Sequence, residues 1–500
     1  MWPHALKWLA FFHPGDGRIR APTTAPNLHF VLTNLAIVYL SIFGATRGHA
    51  ERLLVERPDM LHPVFDLWLR FPRYVPPVAR QSFFDPIKPI QNILKAVSYM
   101  RNIVAGWDDS HVQRRARSMP ISAQDARDIF IRELRRHIRG KGGLHVHFAK
   151  QNRYLTELSM PSQLAKNVWY RHFELQAQIL NLPAFRLDVS PRSFLTSVVS
   201  AGDCCIQRGL YECAARAVSI ISLVCEASGS NRTLIRSIEA GAYTLLLNAG
   251  NISEKDHHVS VGFSHRLSLG LAQRSVLRTF HRLHGDRYVP PDQITGDPTQ
   301  ASDAETVLYN YCYRYTLYAA VYKRGGGLSQ VPCSDVETSL HTPPAVRICP
   351  CGDVYYCSEP CQRTHWQAIH REACCAADGP WGLHGIISLS DIVYLNVEAY
   401  LCISRRPPEI VTGVLEAHAQ GKQPIVVIEA THVYPGVYLS VRSVEADEFP
   451  DPTEPVREAF VEARITLGRT QHVRILPFTF DIAFFANASS ESQTVRESHA

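Results

Sequence analysis

Apolar positions recur every three or four residues over most of the first 325 positions. From Ile90, the residues Ile93, Leu94, Val97, Met100 and Val104 share one face of a 3.6-residue period, which predicts a half-buried helix. Ala214, Ala217, Val218, Ile221, Val224 and Cys225 repeat that spacing, and so do Leu234, Ile235, Ile238, Ala242, Leu245 and Leu246. Ser190-Pro191 pairs a capping residue with an early proline and predicts a helix start. Ser302 predicts another, with Glu305 three residues on to complete a capping box, and Gly250 predicts a stop. Short polar or Pro/Gly segments, such as Gly140 to Gly143 and Pro290 to Pro298, lie between these runs. Helices of this length on short connections predict a mainly α fold, an armadillo/HEAT-like array, although no clean repeat is present.

The pattern changes after the glycine run Gly325 to Gly327, which reads as a linker. A cysteine-rich segment follows, then helical runs over Leu389 to Ile403 and Glu409 to Ala419. Pro424 to Ala430 is a continuous apolar run of buried-strand type, and Val437, Leu439 and Val441 alternate with Tyr438, Ser440 and Arg442 at the period of a strand. Glu454 to Leu467 reads as a helix and His472 to Phe485 as a strand region. The division is therefore a helical region over 1–325, a metal-type segment over 330–376, a small α+β region over 385–486, and a polar, disordered tail over 487–500.

Composition narrows the class. Apolar residues make up 46% and charged residues 20%, the balance of a globular chain. The net charge of +6 over 500 residues is too slight for a dedicated nucleic-acid binder. The basic stretch Arg132 to Lys141 is interleaved with Glu133 and follows Asp125 and Asp128, as on a solvated helix face. The stretch from Leu28 to Ala45 carries no formal charge, but it holds His29, Thr33, Asn34 and Ser41 and sits at the lower edge of a membrane span, so it reads as a buried helix. The apolar run near Trp8 is too short and too aromatic for a secretory signal. These features predict a protein of the nucleus or cytoplasm with reduced cysteines and no membrane or direct nucleic-acid partner.

Seven of the 13 cysteines fall between Cys333 and Cys375. In a reducing compartment such density points to metal. Zinc takes four thiolate or imidazole ligands in a tetrahedron, and closely spaced pairs supply two from one turn of chain. Cys349-x-Cys351, Cys357-x3-Cys361 and His370-x3-Cys374 are three such pairs, with Cys333 upstream. That inventory suits one zinc ion and nearly suffices for two. The remaining cysteines, Cys204, Cys205, Cys213, Cys225, Cys312 and Cys402, lie in apolar helical patterns and read as core packing.

Tyr356-Cys357-Ser358, Cys361-Gln362, His365-Trp366 and His370-x3-Cys374 together resemble a MYND-type zinc finger. The resemblance covers some 45 residues by position, 330–376; the wider layout resembles fungal proteins that carry such a finger after a long helical region. It implies two interleaved zinc sites, Cys349, Cys351, His370 and Cys374 in one, and Cys357, Cys361 and Cys333 in the other. This chain departs from the family pattern in two places. One residue is missing between Cys349 and Cys351, and Cys333 has no cysteine partner two to five residues on. His341, Asp335 or His365 could supply the fourth ligand of the Cys333 site. The resemblance further implies a protein–protein interaction module that docks proline-rich peptides, with Gln362 and Trp366 at the contacting positions. Transcriptional co-regulation is the role such fingers suggest.

No catalytic motif accompanies the finger, and the chain reads as an adaptor rather than an enzyme. The alternative is an enzyme with an unrecognised site outside the finger. A SET-type lysine methyltransferase would require an Asn-His-x-Cys segment, and the chain has no Asn-His dipeptide. His284-Gly285-Asp286 matches the short part of an iron-oxygenase motif, but it ends a helical run, and one such match among 23 histidines is expected by chance. His145 and His147, near glycines, read as a surface loop or edge strand.

Overall fold

The computed structural model describes residue 9 and residues 11–14, 26–44, 55–74, 87–105, 123–138, 140, 142–158, 160, 162–250, 257–293, 301–324, 333–334, 347–349, 354–374, 389–405, 407–429, 438–444, 457–467 and 470–486. The helices pack against one another, and they divide between two compact units. The first comprises residues 1–228 and 236–263, the second 229–235 and 264–500.

In order, α1 spans Pro26–Gly44, α2 Leu61–Tyr74, α3 Ile87–Ala105, α4 Ala123–His137, α5 Gly143–Glu157 and α6 Ser162–Leu180. Then come α7 (Arg192–Gln207), α8 (Tyr211–Ala227), α9 (Arg232–Glu239), α10 (Ala242–Gly250) and α11 (His257–Gly270). Helices α7 and α8 are joined by only three residues and pack together, and each also packs on an earlier helix, α5 and α6 respectively. Such short connections force neighbouring helices to pair, which is the geometry of a HEAT-like array. The predicted apolar faces are the buried ones: Ile90, Ile93, Leu94, Val97 and Met100 on α3, and Ala214, Ala217, Val218, Ile221 and Val224 on α8. Cys205, Cys213, Cys225, Cys312 and Cys402 are buried in helices and Cys204 is half-buried.

Several local expectations change. The apolar run from Leu234 to Leu246 is two helices, because Gly241 adopts φ +96° and breaks the path between α9 and α10. Helix α7 starts at Arg192, with Pro191 in the extended cap position and no side-chain cap. His145 and His147 lie on α5, not on a loop or edge strand. His145 is fully buried edge-on against Phe194, and His147 Nδ1 lies 3.2 Å from the carbonyl of Leu69. Helix α1 buries Leu32, Leu35, Ala36, Tyr39, Ile42 and Phe43 while Phe30, Ile37 and Val38 stay exposed, so the apolar run is buried on one face only. Among the described residues no helix is long and apolar enough to cross a membrane. On α4 the arginines do face solvent, but Arg132 and Arg136 are salt-bridged to Glu133, which is buried and has His62 Nε2 3.1 Å from its carboxylate.

In the second unit, α12 (Arg274–His284) is followed by α13 (Asp303–Arg324), whose start is the expected capping box: Ser302 N–H and Glu305 N–H bond reciprocally to the partner side chain, at 2.8 and 3.4 Å. His284-Gly285-Asp286 ends α12 as anticipated. The two short strands β1 (Arg347–Ile348) and β2 (Tyr355–Tyr356) and the helix α14 (Glu359–His365) form the cysteine-rich segment. The chain then returns as α15 (Leu389–Ile403) and α16 (Pro408–Ala419). Helices α13 and α15 are clamped by a fully buried ion pair, Arg314 to Glu398 at 3.0 Å, and by Tyr394 Oη donating to the Arg314 carbonyl. The finger is thus an excursion between two helices held together at its base.

The C-terminal sheet comprises β3 (Gln423–Glu429), β4 (Tyr438–Val444), β5 (Glu458–Leu467) and β6 (Thr470–Asp481), in the order β4-β3-β5-β6. Strands β3 and β5 run parallel, with Ile425 opposite Phe460, and the outer pairs are antiparallel. The expected helix over 454–467 is therefore strand β5 from Glu458. Its alternation explains this: Ala459, Val461, Ala463 and Ile465 are buried on one face, while Phe460, Glu462 and Arg464 occupy the other. The first face packs with Val426 and Ile428 against Ile392, Leu395, Ile403, Ile410 and Val414 of α15 and α16. On the second face Arg442 of β4 and Arg464 bracket the buried carboxylate of Glu462. The expected linker at 325–327 and the tail at 487–500 lie outside the described residues.

Candidate metal centre

The finger is built on a hairpin. Strands β1 and β2 pair antiparallel, Arg347 opposite Tyr356 and Ile348 opposite Tyr355, and Cys349 N–H closes the loop onto the Val354 carbonyl at 3.0 Å. Cys349 follows β1 directly, and Cys357 follows β2 directly. Ser358 then caps α14: its Oγ accepts from the Cys361 N–H at 3.3 Å, and Glu359 lies in the first turn. That cap sets Cys361 one turn beyond Cys357, with the two Sγ atoms 3.5 Å apart. Cys357 itself precedes the helix, so the pair is made by a cap and a first turn, not by two helical residues. After His365 the helix widens into a π turn, Trp366–His370, and a last short turn ends at Cys374.

Two ligand groups result. Cys333, Cys357 and Cys361 form one, and Cys349, His370 and Cys374 the other; within each group the ligand atoms all lie within 4.8 Å of one another. In sequence the groups alternate, so each site ties together segments that the other site separates. Cys349 Sγ lies 3.9 Å from Cys374 Sγ and 3.2 Å from His370 Nε2. Sulfurs held about 2.3 Å from one tetrahedral zinc stand about 3.8 Å apart, far beyond a disulfide bond. The donor set is thiolate and imidazole, closely spaced and largely removed from water, with Cys349, Cys361 and His370 buried. That chemistry fits zinc at both groups. The backbone N–H of Cys357 also points at Cys333 Sγ, at 3.5 Å.

The remaining expected residues are placed as follows. Cys351, His341 and Asp335 lie outside the described residues. His365 is not a member of the Cys333 group. Its Nδ1 lies 3.1 Å from Tyr356 Oη, and its ring stacks on that of His370, with centroids 5.7 Å apart and planes at 13°. It therefore supports the ligand of the other site. The π turn explains the stack, because residues five apart share a face there, which an α-helical spacing argument does not anticipate. Ser334 carries no signal in the sequence, yet its N–H donates to the Tyr355 carbonyl at 2.7 Å and its Oγ accepts from the Tyr355 N–H at 2.9 Å, pinning the Cys333 segment to the hairpin. No spacing rule marks a serine beside a lone cysteine. Gln362 is half-buried, and Trp366 is 40% exposed, with its indole edge-on to His370. Ile369, one turn further on, is 55% exposed.

Residues 333–374 match the family model of the MYND finger. This segment is accordingly a MYND zinc finger, a class of module that generally serves protein interaction. No curated protein and no solved structure matches the chain.

Proposed function

We propose that this protein is an adaptor whose finger captures proline-containing peptide segments. The observation that carries the reading is the pair Trp366 and Ile369, large apolar side chains left in solvent on a turn anchored by a metal ligand at each side, His370 and Cys361. A small domain has little apolar surface to spare, and exposure of an indole costs burial energy that packing would recover. A flat aromatic face beside the amide of Gln362 suits a proline ring, whose preformed backbone docks at low entropic cost. The helical array would offer a second, longer surface. In this reading the chain works by binding, not catalysis, in the nucleus or cytoplasm, and transcriptional co-regulation is the setting the finger suggests. The test is affinity purification with mass spectrometry on the full chain beside a Gln362→Ala/Trp366→Ala variant of equal zinc content. Loss of a few proline-rich partners supports the reading. An unchanged partner set overturns it and makes the finger a structural staple.

A further inference from the structure

The hairpin strand β2 serves two cores at once. Adjacent residues on a strand point to opposite faces, so Tyr355 and Tyr356 cannot share a side. Tyr356 is fully buried in the finger's own small core with Cys349 and Cys361. Tyr355, 4% exposed, belongs instead to the core that α15, α16 and the C-terminal sheet build, together with Ile392, Leu395, Val461 and Leu476. The backbone that aims this ring is held by neighbours of metal ligands on three sides. Ser334, bonded to both its N–H and its carbonyl, follows Cys333; Ile348, its partner across the hairpin, precedes Cys349; and Tyr356 precedes Cys357. A two-stranded hairpin of this length has almost no stability of its own. Its order comes from the metal.

We infer that zinc bound by the finger stabilises the C-terminal α+β body over 389–486 as well as the finger, with Tyr355 as the coupling residue. A buried aromatic ring contributes more packing area than most single residues of such a core. When the ligands are released, nothing fixes the backbone that seats the ring, and the body loses that packing. The linkage is reciprocal: whatever loosens the core around Tyr355 weakens zinc binding by the same factor. The finger is then a metal-dependent wedge in the body, not a detachable module, and depletion of zinc is felt in the sheet. The peptide-docking reading plays no part in this coupling and can fail without it.

The experiment is hydrogen–deuterium exchange on the full chain, zinc-loaded and after chelation, followed in segments 354–374, 389–403 and 458–481, with 192–227 as reference. In the wild type, zinc removal should raise exchange in 389–403 and 458–481 roughly tenfold, with the reference segment unchanged. Tyr355→Phe keeps the ring and should keep the full response. Tyr355→Ala should leave the body equally exposed with and without zinc, while 354–374 still responds. Full protection of 389–403 and 458–481 in a chelated chain whose finger exchanges freely would overturn the inference, and so would an undiminished response in Tyr355→Ala. Should that variant fail to fold, Cys361→Ser approaches from the metal side: it must raise exchange in 458–481, and unchanged protection there is equally decisive against the coupling.

Discussion

His370 shows how much one residue's position depends on its turn. It lies at the end of a π turn, buried, with Nε2 on Cys349 and its ring backed by His365. His370→Ala should remove one ligand and, with it, about one zinc per chain, since the donors that remain bind far more weakly. Native mass spectrometry reads this directly, and an unchanged zinc count would refute the assignment. His365→Ala should leave the count intact at saturating zinc and lower affinity about 10–100-fold, the cost of losing a supporting neighbour. Elsewhere, burial pulls His145 down to about 4 and His172 to about 3. His172 sits at 2.8 Å from Asn152 Oδ1, which also accepts from Gln176. Both rings are neutral when folded and protonate near 6.5 when unfolded, so the unfolded chain binds more protons below that pH. Their contribution is therefore complete above pH 6.5 and is lost as pH falls toward 4 and then 3. Denaturant titrations of the helical signal should show a lower midpoint at pH 5 than at pH 7; equal midpoints would contradict the burial argument.

At the scale of elements, two devices hold helices in place. Gly241, at φ +96°, lets the chain turn between α9 and α10. A Cβ there meets Val199 only at ordinary contact, 3.6 Å, so the obstacle is conformational and not steric crowding. Gly241→Ala should cost about 1–2 kcal/mol of stability in the first unit. The second device is the Arg314–Glu398 pair between α13 and α15, with both side chains out of water. Burial pushes the Glu398 carboxyl above its ordinary value, and Arg314 opposes that shift. Arg314→Met strands the carboxylate and should cost roughly 3–5 kcal/mol, whereas adding Glu398→Leu should recover most of it. Thermal unfolding of the two variants checks this. If the double variant is no better than the single one, the pair has a role beyond charge compensation. The same scale shows where periodicity misleads. Residues 454–467 contain enough alanine and glutamate to pass for a helix, but pairing with β3 on one side and β6 on the other makes Glu458–Leu467 a strand.

For the whole molecule, the first compact unit takes residues 1–228 and 236–263 and the second takes 229–235 and 264–500, so each unit contains several of the helices. No break in composition announces these bounds. Chelation of the full chain should therefore abolish order in the finger and lower only a small part of the far-ultraviolet helical signal, because most helices lie far along the chain from the ligands. A global loss of ellipticity would mean that the metal supports both units.

What the chain encodes locally is legible without coordinates. The ligand residues, the capping box at Ser302, the apolar faces of α3 and α8 and the run of β3 all follow from short-range spacing, because helices, strands and tetrahedral metal sites repeat over a few residues. The partition of ligands into Cys333/Cys357/Cys361 and Cys349/His370/Cys374 followed from likeness to a known finger, and the side chains converge in those same two groups. Only the tertiary structure decided the rest. It turned 458–467 into a strand by supplying neighbours on both edges, and it buried His145 and Glu133 inside a helical core. It also sent Tyr355 and Tyr356 into different cores. Those outcomes depend on contacts between residues far apart in sequence, and no local period records them.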